Sequence, residues 1–254
     1  MNGAVVTRRA RTPWQLRSLS GLLVAAAALV LASAGRGVGA ETPAQPPLKI
    51  GIIGTGHIGG ALATLWVKSG HEVLISSRHP DELRPLAATL GPRAHVGTPH
   101  EAAVFGDVVL VSVPYKALPE LGRELKEELA GKVVLDTCNP YPERDGAMAT
   151  EARQKGTGVA SAQLLPGVRL VRAFNAIGYR DLASQARVGG EPVAIPLAGD
   201  DPHALALAQQ LVRDAGFVPV VVGDLSRARE FDVGTLPYAH LQTAAQLRQT
   251  LALK

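Results

Sequence analysis

Apolar residues fall along the chain in short runs, separated by longer segments in which they recur every three or four positions. The runs Leu48–Ile53, Val73–Ser76, Val108–Val113, Val133–Leu135, Leu170–Phe174, Val193–Leu197 and Val218–Val222 predict strands. Several are apolar without interruption, as a strand buried on both faces requires. Helical spacing fills the intervals. Ile58, Leu62, Leu65 and Trp66 share a face that stops at Gly70. Leu118, Leu121, Leu125 and Leu129 form a second stripe, with Glu120, Arg123, Glu124, Lys126, Glu127 and Glu128 turned to water and Gly131 closing it. Asp201-Pro202 caps a third, which carries Ala204, Ala208, Leu211, Val212 and Ala215 inward and Gly216 past its end. Alternation of this kind predicts a parallel sheet with helices on both faces. In the tail, Leu241, Ala244, Ala245, Leu247 and Leu251 predict an amphipathic helix that packs on its own domain, a homodimer contact being the alternative.

The first forty residues follow a different pattern. Arg8, Arg9, Arg11, Arg17 and Arg36 occur there with no acid, and the uncharged run Gly21–Ala32 is followed by small residues with exits after Ala34 or Ala40. Charge, short apolar segment and small-residue exit predict a signal peptide over residues 1–40, with an uncleaved membrane anchor as the alternative. The expected location is therefore extracytoplasmic (periplasmic in a two-membrane cell). Residues 41–47 read as a linker and residues 48–254 as the folded domain.

Charge and composition narrow the function. Five of the 26 basic side chains lie in the leader, leaving 21 against 22 acids, so the body is near neutral despite a formal net charge of +4. Nothing there points to nucleic acid, and membrane contact is expected only through the leader. Hydrophobic residues at 46% with charged residues at 19% exclude a disordered chain, and aromatics at 4% predict an aliphatic core. The single cysteine, Cys138, excludes an internal disulfide and any multi-cysteine metal centre.

The chemistry begins where Lys49–Ile53 runs into Gly54-Thr-Gly56-His-Ile-Gly59. A strand precedes this G-x-G-x-x-G, an amphipathic helix follows, and another strand comes about twenty residues on, the full context of a dinucleotide-binding turn. Gly54 makes the tight turn, Gly56 lets the backbone approach a diphosphate, and Gly59 lets the helix pack close to the strand. The diphosphate then meets the free N–H groups and positive dipole of the helix end. The fold expected is α/β, a Rossmann-type doubly wound parallel sheet with a short α/β C-terminal extension. At the end of the second strand an NAD enzyme places a carboxylate for the ribose 2′-hydroxyl. Here stand Ser76-Ser77-Arg78-His79, with no acid before Asp81. A hydroxyl and a guanidinium fork suit a 2′-phosphate, so the expected cofactor is NADP(H).

Four segments, Gly54–Gly60, Ser76-Ser77-Arg78, Leu110-Val-Ser-Val-Pro114 and Val171-Arg172-Ala-Phe-Asn175, resemble the NADP oxidoreductases that reduce the deazaflavin coenzyme F420. The likeness covers roughly residues 48–225, and the same domain resembles the reductase portion of certain transmembrane metalloreductases. It implies that Thr55, Ser77 and Arg78 hold the 2′-phosphate and that His57 and Ile58 line the diphosphate. Val113 and Pro114 would flank the cofactor, with Ala173 near the nicotinamide. Glu82 stands where family members commonly carry a further basic residue, and Arg172 where they often have lysine, which keeps the charge and changes little.

Hydride transfer between two flat rings needs stacking, water exclusion and fixed separation more than an acid–base dyad. Loops near Asn139-Pro140 and Asn175–Gly178 fall where strand ends open onto the cofactor, so Asn139, Pro140 and Asn175 are the expected acceptor contacts. The acceptor itself is expected to be a small molecule, a deazaflavin or a flavin. His95 and His100, five apart, lack a recognised ligand spacing and read as surface-loop residues, and no metal site is expected. Cys138 reads as a buried thiol, and neither Tyr115 nor Tyr141 has the lysine four residues on that a Tyr-x-x-x-Lys reductase needs. Two other readings share the glycine loop: a hydroxy-acid or imine reductase, and a non-catalytic NADP(H) sensor. The former enzymes generally append a large all-helical domain, whereas after Phe174 this chain offers two further strand patterns, a helix and a tail.

Overall fold

A computed structural model of the chain describes residues 46–253, together with Met1 and Gly3. The expected signal peptide and most of the expected linker lie outside the described residues. Among the described residues no helix is long and apolar enough to cross a membrane.

The chain runs β1 (Lys49–Ile53), α1 (His57–Lys68), β2 (Glu72–Ser76), α2 (Arg84–Leu90), β3 (Ala94–Gly97), α3 (Pro99–Phe105), β4 (Val108–Val111), α4 (Leu118–Glu124), α5 (Lys126–Leu129) and β5 (Val133–Asp136). It continues through α6 (Pro142–Asp145), α7 (Ala147–Lys155), α8 (Thr157–Leu164), β6 (Arg169–Arg172), α9 (Tyr179–Gln185), β7 (Ala194–Gly199), α10 (Pro202–Asp214), β8 (Val218–Gly223) and α11 (Ala244–Thr250). The eight strands form one sheet in the order β3-β2-β1-β4-β5-β6-β7-β8. β1 to β6 are parallel, and the order reverses between β1 and β4, the switch point where ligands of open α/β sheets bind. This is the doubly wound architecture expected, and β7, α10, β8 and α11 are its C-terminal extension.

The sheet departs from expectation at two places. β7 pairs antiparallel to β6, over only Val171↔Gly199 and Arg172↔Ala198, so the sheet is mixed. A run of apolar residues reports burial and carries no direction, which is why the pattern could not show the reversal. β3 was not expected at all. It is an edge strand in which Ala94 and Val96 are half-buried and His95 is exposed, so it lacks an apolar run. His95 thus lies on a strand rather than in a loop. The stripe Leu118, Leu121, Leu125 and Leu129 is buried as expected, but it belongs to two short helices that break at Leu125.

Two aliphatic layers hold the sheet. On one face α1 and α10 bury Leu62, Trp66, Leu211 and Val212 against Ile50, Ile52, Leu110 and Leu135. The Trp66 indole donates to the Leu211 carbonyl at 2.9 Å, satisfying a polar handle that burial would otherwise penalise. The other face packs α3, α4 and α8 on Ile53, Val109, Val111 and Val134. The Asp201 carboxylate accepts from the Ala204 amide at 2.7 Å, the cap its sequence promised. Leu247 and Leu251 of the tail are buried with Val220 and Val222 of β8, so α11 packs on its own domain.

Candidate functional site

The carboxyl ends of β1, β2 and β4 open onto a cleft of about 780 Å³. Gly54, Thr55 and Gly56 form its floor, Ser77 and Arg78 one wall, and Ser112, Val113 and Pro114 the other. Seven of the residues singled out by sequence therefore face one cavity. The structure adds Thr98, Pro99 and His100 from the start of α3, and Lys116, Glu120, Leu121, Glu124 and Leu125 from beyond β4. The α3 group went unread because β3, the strand that delivers it, carries no strand pattern. His100 also lies 3.0 Å from Glu128, so it is a cleft residue held by an ion pair when protonated.

The three glycines separate by what a side chain would meet. Gly54 has φ +93°, and a Cβ there would lie 2.4 Å from the Ser112 carbonyl oxygen, so the fold itself requires glycine. At Gly59 a Cβ would stand 2.3 Å from the Gly54 carbonyl oxygen, which fixes the close approach of α1 to the turn. A Cβ on Gly56 would meet nothing within 4 Å. The fold leaves that position open, and it sits at the cap of α1, a twelve-residue helix with no acid in its first turn. The unpaired N–H groups and dipole of such an end favour an anion. Ile58 packs against the α1 core layer, while the exposed His57 ring stacks on Tyr179, with centroids 4.3 Å apart and planes at 17°.

Thr55 lines the same cleft as Ser77 and Arg78, with its hydroxyl tied to the end of β2. Its hydroxyl donates to the Ser76 carbonyl and accepts from the Ser76 amide, both at 3.0 Å. That pair ties the glycine turn to the end of β2 and leaves the hydroxyl proton committed. Ser77 accepts from the His79 amide at 3.0 Å, so its own proton remains available to the cleft. Arg78 is exposed on the same wall, and the ion pair beside it joins Arg84 to Asp81 at 2.8 Å instead. The Ser77 hydroxyl and the Arg78 guanidinium therefore share one wall of the cleft.

Comparison with known proteins finds relatives of the chain. Residues 49–140 match the family described as "NADP oxidoreductase coenzyme F420-dependent". The F420-dependent NADP reductase of Methanothermobacter thermautotrophicus is 29% identical over 198 residues, spanning 72% of this chain and 84% of that one. These matches support an F420-dependent NADP oxidoreductase-like family. Metalloreductase STEAP3 of Rattus norvegicus is 33% identical over 193 residues, 76% of this chain. The chain spans only about a third of the length of the curated metalloreductases it matches. A solved structure of a hypothetical protein from Sinorhizobium meliloti superposes with a TM-score of 0.65 at 25% identity, covering 78% of this chain and 96% of that one.

The family match ends at Pro140, and the remaining residues expected at the site fall near that point or after it. Ala173 is fully buried at the end of β6. Asn139 donates to the Asn175 carbonyl at 2.8 Å and accepts from Arg172 at 2.9 Å, while Asn175 donates to the Phe231 carbonyl at 3.2 Å. Pro140 is buried. None of these three lines the cleft; their polar groups join β5, β6 and the C-terminal extension. Cys138 is buried as expected, and burial pushes its thiol well above the ordinary range, leaving it unreactive. Tyr115 is fully buried, which drives its phenol up to about 12. The Tyr141 and Tyr238 hydroxyls hydrogen-bond to each other.

Arg172 does much more than keep a charge. It is fully buried, reaching Asp136 Oδ2 at 3.0 Å, Asp232 Oδ1 at 3.1 Å and the Cys138 carbonyl at 2.7 Å. Burial pulls its pKa down, but the two carboxylates outweigh that and hold it above the usual value. Asp232 accepts in turn from the Thr157 amide at 2.9 Å at the start of α8. A lysine would offer a single point charge where this guanidinium binds acceptors on four residues at fixed angles. Its position in the sequence gave no sign of this, because both carboxylates come from distant segments.

Proposed function

We propose that this chain is an NADP(H)-dependent oxidoreductase that passes hydride between NADPH and a small flat-ring acceptor of deazaflavin or flavin type. The observation that carries the reading is the opening at Gly56 in a cleft that also holds Ser77 and Arg78. A diphosphate fits the space a Cβ would take, and a 2′-phosphate fits the guanidinium at the far wall. When bound, NADPH supplies the hydride. The glycine turn and α1 hold the diphosphate, Ser77 and Arg78 select the extra phosphate, and Val113 and Pro114 flank the chain of the nucleotide. Thr55 keeps the turn in register with β2. Asn139 and Asn175 act by fixing the walls on the nicotinamide side, beside the buried Ala173.

Support for a deazaflavin or flavin comes from the family likeness. The test is NADPH oxidation across deazaflavin, flavin, quinone, ferric, keto-acid and imine acceptors. Turnover with the deazaflavin or a flavin is expected; turnover confined to keto acids or imines would replace this reading, and tight NADPH binding with no turnover would make the chain a sensor. Export by the leader is part of the same proposal.

A further inference from the structure

In the reading above, the residues lining the cleft face the adenosine side and the glycine turn. A second group of residues meets the first turn of α1. His57 is the first residue of α1, where the diphosphate would rest, and its exposed ring is covered by Tyr179 from the start of α9. Tyr179 keeps 38% exposure, so it is a surface aromatic held by the stack rather than a core residue. The next residue, Arg180, places its guanidinium 5.7 Å from the Tyr179 ring and donates from Nε to the Tyr179 hydroxyl at 3.2 Å. Arg180 is exposed, and no carboxylate among the described residues lies within ion-pairing distance of it. A histidine, a tyrosine and an arginine thus form a stack that joins the glycine turn to an element arriving after β6.

We propose that Tyr179 and Arg180 form the second jaw of the dinucleotide site, Arg180 pairing with the diphosphate and Tyr179 holding the jaw against His57. The inference rests on the dinucleotide reading and adds the ligand's diphosphate as the group this jaw recognises. A diphosphate carries two negative charges, and the helix end alone offers a partial positive charge. An arginine fork that is already oriented by a ring and a hydroxyl loses little freedom on pairing. Because the diphosphate is common to both nicotinamide nucleotides, this jaw acts on each equally, whereas Arg78 acts on the 2′-phosphate only.

The experiment is titration calorimetry of the purified chain and of Arg180→Ala, Arg180→Lys and Tyr179→Ala with NADPH and with NADH, alongside melting temperatures. The expected result is that Arg180→Ala weakens both nucleotides by a similar factor, on the order of tenfold. Arg180→Lys should recover part of the loss, and Tyr179→Ala should act in the same direction, all with unchanged melting. Added salt should cost the parent chain more affinity than Arg180→Ala. Parent binding with an Arg180→Ala variant that binds both nucleotides equally well would overturn the jaw alone. A loss confined to NADPH would also overturn it, by placing Arg180 at the 2′-phosphate. Absence of binding to the parent chain would remove the dinucleotide reading and the jaw with it.

Discussion

Arg172 Nη2 lies 3.1 Å from Asp232 Oδ1, joining the end of β6 to a segment sixty residues later in the chain. With Asp136 on the same guanidinium, this contact fastens the C-terminal extension to the carboxyl edge of the sheet, beside the expected nicotinamide position. One cation between two carboxylates in a buried place makes each member depend on the others.

Removing the cation should therefore be severe. Arg172→Ala leaves Asp136 and Asp232 facing each other unpaired, at a cost of about 3–5 kcal/mol. Arg172→Lys should lie between the two, since it keeps charge without the fork. Urea unfolding with a constant m-value measures this, and an Arg172→Ala midpoint equal to the parent's would show that the network contributes nothing.

The glycine turn yields a prediction that separates folding from binding. Gly56→Ala should leave the melting temperature nearly unchanged, because its Cβ meets nothing within 4 Å, and should sharply weaken nucleotide binding. Gly59→Ala should lower stability by about 1–3 kcal/mol, since its Cβ would meet the Gly54 carbonyl. Paired melting and binding curves check both. Reversal of the two phenotypes would contradict the roles assigned to these glycines.

Arg78→Ala should raise the Michaelis constant for NADPH far more than that for NADH, by on the order of 1.5–3 kcal/mol in apparent binding. Steady-state kinetics with each nucleotide measure it. Equal effects on both would remove Arg78 from the 2′-phosphate.

Asp145 gives the pH dependence. Its carboxylate accepts from the Lys116 and Tyr141 amides and pairs with Arg144, thereby shaping the turn that bears Lys116 on the cleft wall. Burial raises its pKa, but the Arg144 guanidinium and the two amides outweigh that and hold it below the usual carboxylate value. A depressed folded value means the stabilisation is complete above the unfolded carboxylate pKa and is lost as pH falls through the folded one. The stability advantage of the parent over Asp145→Asn should thus be constant near neutrality and shrink below about pH 4. Melting curves from pH 7 to 3 test this, and an advantage that grows with acidity would contradict it.

The proposed export predicts a shortened mature chain. Amino-terminal sequencing of protein purified from cells should begin near Gly35 or Glu41. Intact Met1 in the soluble cytosol would reject export.

What the sequence made legible follows from how each feature is encoded. β1, the glycine turn, α1 and the Ser77-Arg78 wall are consecutive, so their burial pattern and chemistry could be read together. The three glycine roles proved separable in space as well. His100 was hidden because the turn that carries it to the cleft follows an edge strand without an apolar run, and Lys116 because it stands in a short turn between β4 and α4 that carries no periodic pattern. Arg172 was read as a neutral exchange because its partners, Asp136 and Asp232, meet it only through tertiary structure. Asn139 and Asn175 follow the carboxyl ends of β5 and β6, yet their side-chain N–H groups donate to backbone carbonyls of the fold. The reversal of β7 left no mark in its apolar run.

The account turns on whether the cleft at the carboxyl ends of β1, β2 and β4 receives a pyridine dinucleotide bearing a 2′-phosphate. Isothermal titration of the purified chain with NADPH and NADH measures that directly. Saturable heat with NADPH, and weaker binding of NADH, is the expected result. Titrations that give no heat with either nucleotide would contradict the site and the hydride chemistry built on it.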